Sequence, residues 1–167
     1  MTSVTPVLAI HHVFMARIDR KSIYIPLSFK PIKTESRTVK EEALADTGAS
    51  GKFIDERYSK KLGLPRIPLK EPLDVYNVDG TQNKKGTITH YTRIPITIGE
   101  RTTQEELMIT GLGRQKIILG LPWFRENNPD IDWDTGKVKW RKPTKKIPER
   151  KFRPMPKLTG NPNLDWW

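Results

Sequence analysis

The chain has 167 residues, no cysteine, only three histidines and a formal net charge of +11. That length holds one domain with residues left for an extension; the composition excludes disulfides and thiolate metal sites, and no stretch reaches the roughly 18 apolar residues of a membrane span. The charge is lopsided: residues 137–157 carry ten Lys or Arg against one Glu, whereas the rest has 20 basic and 18 acidic residues.

Residues 1–20 show no sustained period and are read as an N-terminal extension without the basic-then-apolar pattern of a secretory leader. The neighbouring His11 and His12 read as surface residues, because adjacent side chains do not converge on one metal without further ligands. "SIYIPLSF", 22–29, puts Ile23, Ile25, Leu27 and Phe29 on one side of a strand. Pro26 argues for an edge strand, or one whose N–H faces outward. "TVKEEALA" is a second strand running into Asp46, and Phe53–Ile54 is extended again. "DERYSKKLG" predicts a short helix capped by Asp55 and ended by Gly63. Prolines 65, 68 and 72 keep the next segment open, after which "LDVYNV" is a strand. "TITHYTRIPITIG" alternates with Ile88, His90, Thr92, Ile94, Ile96 and Ile98 on one face, so these two strands form a long hairpin with a glycine-containing tip.

"EELMIT" and "KIILG" are further strands, and "LPWFREN" is a short helix with Pro122 in its first turn. "IDWDTGKVKW" is a compact hairpin with Gly136 in its turn and Ile131, Trp133, Val138 and Trp140 as its large apolar side chains. The expectation is an all-β domain over residues 21–142 with one or two short helices. A basic, proline-rich extension or linker follows over 143–167.

Asp-Thr-Gly occurs twice, at 46–48 and 134–136. The second copy fits plain turn chemistry, with Asp134 capping and Gly136 supplying a positive φ. Asp46 instead follows an apolar run and precedes Ala49, Ser50 and Gly51, small residues that allow close backbone approach. A carboxylate of this kind becomes catalytic with a partner. Two carboxylates about 3 Å apart share one proton, so that one acts as base and the other as acid. The chain offers one good copy, so the partner comes from a second chain or there is no such pair.

"ALADTGAS", "NVDGT" followed by Gly86, "ITGLG" and "IILGLPWFRENNPDIDW" together resemble the retropepsin-like aspartic proteases, in particular those of gypsy-type long-terminal-repeat retrotransposons. The resemblance covers roughly residues 20–140. It implies a closed β-barrel with a ψ-loop and a flap hairpin, and a homodimer with one active site on its two-fold axis. It makes Asp46 the catalytic aspartate, Thr47 the residue bonding across to the other subunit, and Gly48, with Ala49, part of the supporting loop. Ile118, Leu119 and Gly120 fall on the ψ-loop element, and Asp79, Gly80 and Thr81 on the flap tip. The implied substrate is the element's own Gag-Pol polyprotein, cut in the cytoplasm or in virus-like particles, with no cofactor, metal or membrane partner. The 31 residues after Gly136 are too few and too polar to build a second lobe. Two alternatives stay open at this point: a retropepsin-like dimerisation or binding module without catalysis, and a nucleic-acid-binding protein acting through residues 137–157.

Overall fold

The computed structural model describes residues 13–31, 37–75 and 86–141. Eleven strands and two short helices lie within these segments, in the order β1 (Val13–Met15), β2 (Arg17–Asp19), β3 (Ser22–Phe29), β4 (Val39–Asp46), β5 (Lys52–Asp55), α1 (Glu56–Lys61), β6 (Ile67–Leu73), β7 (Ile88–Ile98), β8 (Arg101–Thr110), β9 (Ile117–Gly120), α2 (Leu121–Asn127), β10 (Asp130–Ile131) and β11 (Lys137–Lys139). Strands β3, β4, β9, β5, β8 and β7 are neighbours in that order, and a β3–β7 pairing at Ser28 and Thr97 closes them into a barrel. β2 and β6 extend this sheet, and β1, β11 and β10 form a small second one.

Alternation fixes which side chains enter the barrel. Along β3, Ile23, Ile25, Leu27 and Phe29 are buried while the residues between them are half-exposed. Along β7, Ile88, Thr92, Ile94, Ile96 and Ile98 are buried and His90 is half-buried in the same phase. Two-residue periodicity with one buried face is what a curved antiparallel pair requires. Trp123 of α2 closes one part of the core, edge-on to Phe124 at 5.0 Å and 6.2 Å from Trp140. Trp140, which follows β11, also meets Phe14 of β1 at 5.4 Å, and both pack against the main core, so the Trp140–Trp123 contact docks the three-stranded sheet on the barrel.

Several local expectations need correction. Of the two readings of Pro26 the edge strand fails, because β3 has neighbours on both sides: Pro26 pairs with Glu42 of β4 and sits where the other neighbour changes from β2, paired at Ser22–Tyr24, to β7 at Ser28. The proline-spaced segment forms β6, ending at Leu73, rather than staying open; of the strand expected over 73–78, Asp74 and Val75 are not in a strand and residues 76–78 lie outside the described residues. β6 tolerates Pro68 and Pro72 because it pairs only with β7 among the described residues, and its register shifts between Pro68 and Leu73. In the 132–136 turn the capping acid is Asp132, not Asp134. Its Oδ1 accepts from Asp134 N at 3.0 Å and Thr135 N at 3.2 Å. Those two N–H groups, Thr135 first, hold the Asp132 carboxyl below its usual pKa. β11 pairs with β1 and β10 of its own chain, which buries Val138 and Trp140. α1 forms as its ends predict: Asp55 Oδ2 accepts from Tyr58 N at 3.2 Å, and Gly63 has φ 63°.

Candidate active site

β4 and β5 are consecutive in sequence yet not adjacent in the sheet. β9 lies between them, parallel to β4 and antiparallel to β5. The residues joining β4 to β5, Thr47 to Gly51, therefore cross over the end of β9. The register sets Leu44, Ala45 and Asp46 beside Ile118, Leu119 and Gly120. Leu119 and Gly120 are buried beneath the crossing, whereas Asp46 is half-exposed and Thr47 and Gly48 are exposed.

Backbone bonds hold the loop. Ala49 N donates to Asp46 O at 3.0 Å, and Leu121 N donates to Ala49 O at 2.9 Å. Gly48 N donates to Asp46 Oδ1 at 3.0 Å, which fixes one oxygen of the acid. A Cβ on Gly48 would lie 3.2 Å from that oxygen, closer than nearly all carbon neighbours of a real Cβ. A cleft of about 500 Å³ opens beside Asp46, lined also by Ile18, Leu44, Ala45 and Trp133 and by Arg20 and Lys21. Ile18 is 42% exposed and Trp133 is 58% exposed. The second Asp-Thr-Gly lies in the β10–β11 hairpin, with Asp134 and Thr135 exposed. His11, His12 and residues 79–81 lie outside the described residues. Among the described residues, no group of three or more acids and histidines could hold a metal.

A family model for the PEG10/RTL1 protease domain matches residues 42–146, more than half of the chain. The chain belongs to this retropepsin-like aspartic protease family. A retropepsin-like aspartic protease from Rickettsia conorii shares the fold at 21% identity over 77% of this chain and 92% of its own, with a TM-score of 0.51. The retroviral protease-like domain of Ddi1 from Leishmania major aligns at 15% identity over 73% of this chain and 95% of its own, with a TM-score of 0.46. EIAV protease, in complex with the inhibitor HBY-793, aligns at 13% identity over 68% of this chain and 93% of its own, with a TM-score of 0.44.

Beyond the loop lies an ionic cluster that sequence reasoning missed. Lys52, the first residue of β5, donates from Nζ to Glu105 Oε2 at 2.8 Å and to Glu126 Oε2 at 3.1 Å. Thr103 Oγ1 donates to the other oxygen of Glu105 at 2.8 Å. The side chains of Lys52 and Glu105 are 14% and 4% exposed, so this pair is nearly out of water and ties β5, β8 and α2 together. Burial alone would lower the pKa of Lys52; the bonds to Glu105 and Glu126 outweigh it and raise the pKa. The sequence signal was available, because Glu105 shares the alternating phase of Leu107 and Ile109 and so occupies a core position.

Removing one partner of a buried pair costs far more than the pair contributes. Glu105→Ala is expected to destabilise the protein by about 3 kcal/mol in urea unfolding, Glu126 retaining part of the Lys52 interaction. The double replacement of Lys52 by Met and Glu105 by Leu should recover most of that loss. A double variant as unstable as Glu105→Ala would show that the charges are not the cause.

Proposed function

We propose that the protein is an aspartic endopeptidase in which two copies of the chain each supply Asp46 to a single site. The observation that carries this reading is the placement of Asp46, half-exposed at the end of β4 and level with Gly120 where the loop crosses β9. The surroundings suit a covered face. Of the five exposed large apolar side chains among the described residues, Ile18 and Trp133 share the cleft of Asp46 and Leu121 directly follows Gly120.

Across the two-fold axis the paired carboxylates, about 3 Å apart, hold one proton and one water. The ionised member takes a proton from the water as the water attacks the peptide carbonyl. The protonated member donates to the carbonyl oxygen, and proton return then releases the amine. No covalent intermediate forms. Thr47 bonds across to the partner loop. Gly48 and Ala49 keep the loop narrow enough for substrate, and Ile118, Leu119 and Gly120 support it from below. Asp79, Gly80 and Thr81 would close over an extended peptide held by backbone bonds, which excludes water.

The substrate in this reading is a gypsy-type Gag-Pol polyprotein, cut in the cytoplasm or in virus-like particles. The basic run over 137–157 is an accessory that contacts nucleic acid weakly or joins the protease to the next polyprotein segment. The pair titrates as a unit, so the rate against pH is expected to be bell-shaped, with its best region acid to neutral. The deciding experiment measures cleavage of a Gag-derived junction peptide across protein concentration, alongside sedimentation in the same buffer. The rate should follow the dimer fraction. An active preparation that stays monomeric throughout would end this reading.

A further inference from the structure

A cavity of about 760 Å³ begins where the 47–51 loop ends, with Gly51 and Lys52 on one side and Leu69 and Leu73 of β6 on another. Tyr91, Met108 and Pro122 complete its apolar lining. Among the described residues β6 is the last strand of its sheet, and its outer backbone edge could pair with an added extended segment. Such a segment alternates its side chains, so only residues of one phase can enter the cavity.

The charges around the cavity do not cancel evenly. Glu106 is engaged by Arg93, at 2.6 Å from Nη2 and 3.1 Å from Nε. Lys70 and Glu71, consecutive on β6, contribute one charge of each sign to the lining. The Lys52 charge is matched by Glu105, which is buried beneath it. Glu126 is then a second carboxylate on an ammonium already neutralised, 3.1 Å away and 56% exposed. Arg125, its neighbour on α2, lines the adjoining cleft of about 390 Å³ and not this cavity.

An apolar trough edged by Glu126, the more exposed of two carboxylates that share the single Lys52 cation, suits a long aliphatic stem that ends in a cation. The methylenes of a lysine or arginine lie against Leu69, Tyr91 and Met108, while the head reaches Glu126. We infer that this cavity receives a lysine or arginine side chain of the peptide substrate and that Glu126 is the residue selecting it. The inference rests on the endopeptidase reading given above and adds to it the chemistry of one substrate position.

The test incubates the full chain with a peptide mixture made by chymotrypsin-type digestion, which retains internal Lys and Arg. Cleavage positions are identified by mass spectrometry, and any also produced by Asp46→Asn are discarded. Wild type is expected to enrich Lys and Arg about fivefold at one fixed distance from the cut, the selectivity of roughly one surface-grade ion pair. Glu126→Gln should bring that position near background, and Glu126→Lys should turn the preference toward Asp and Glu. Cleavage without basic enrichment, or enrichment that survives in Glu126→Gln, overturns the assignment of Glu126 and leaves the endopeptidase reading intact. Cleavage by wild type no greater than by Asp46→Asn overturns both.

Discussion

Asp46→Asn is expected to lower peptide cleavage by about 10³-fold or more, because an amide can neither take the proton of the water nor return one to the leaving amine. The loop should survive the change. Asp46 Oδ1 accepts from Gly48 N at 3.0 Å, and an asparagine oxygen can accept the same bond. Loss of rate with an unchanged unfolding midpoint therefore separates chemistry from folding. A mixing experiment extends the argument to the symmetry axis. When wild type and Asp46→Asn chains are refolded together in equal amounts, about a quarter of the dimers carry two aspartates. The rate per total chain should fall to about a quarter of the wild-type value if each site needs both acids, and only to about half if each chain works alone. A value of one half would remove the shared site.

The parts of the fold legible in the sequence are those where one face is buried over many residues. β3 and β7 each present four or more apolar side chains at alternate positions, and their spans follow from that period. β1 and β2 have three residues each, too few for any period to show, and they exist because β11 and β3 provide edges for them. The N-terminal half of β8 carries no apolar period either. Arg101 to Gln104 extend past the core as the polar continuation of the β7 hairpin, paired with Pro95 to Ile98. β6 is not legible in the sequence, because Pro68 and Pro72 read as strand breakers until the side of the strand that carries hydrogen bonds is known. At the candidate site, Asp46 stood out locally, but its closeness to Gly120, 74 positions away, is a property of the β4–β9 register. Only the motif resemblance pointed to it. Glu105 and Glu126 gave no motif at all, since their meeting at Lys52 depends on β8 and α2 arriving at the same end of β5.

Gly120→Ala is expected to destabilise the protein by about 3 kcal/mol or more, the upper range for forced overpacking. A Cβ at this position would overlap the carbonyl oxygen of Gly51 and lie 2.5 Å from that of Ala49. Both obstacles are backbone atoms of the crossing loop, and that loop is held down by the bond from Leu121 N to Ala49 O. Neither can rotate aside as a side-chain tip would. Two other glycines grade the effect. A Cβ on Gly51 meets the ring of Phe53 at 3.0 Å, a movable group, so Gly51→Ala should cost about 1 kcal/mol. Gly113 has φ +66° and open space around it, so Gly113→Ala pays only the left-handed backbone term of about 1–2 kcal/mol. Urea midpoints for the three variants should place Gly120→Ala well below the others. A Gly120→Ala protein within about 1 kcal/mol of wild type would mean that the loop can lift off β9 at little cost. The carboxylate of Asp46 would then lack the rigid support that sharing a proton with a partner requires.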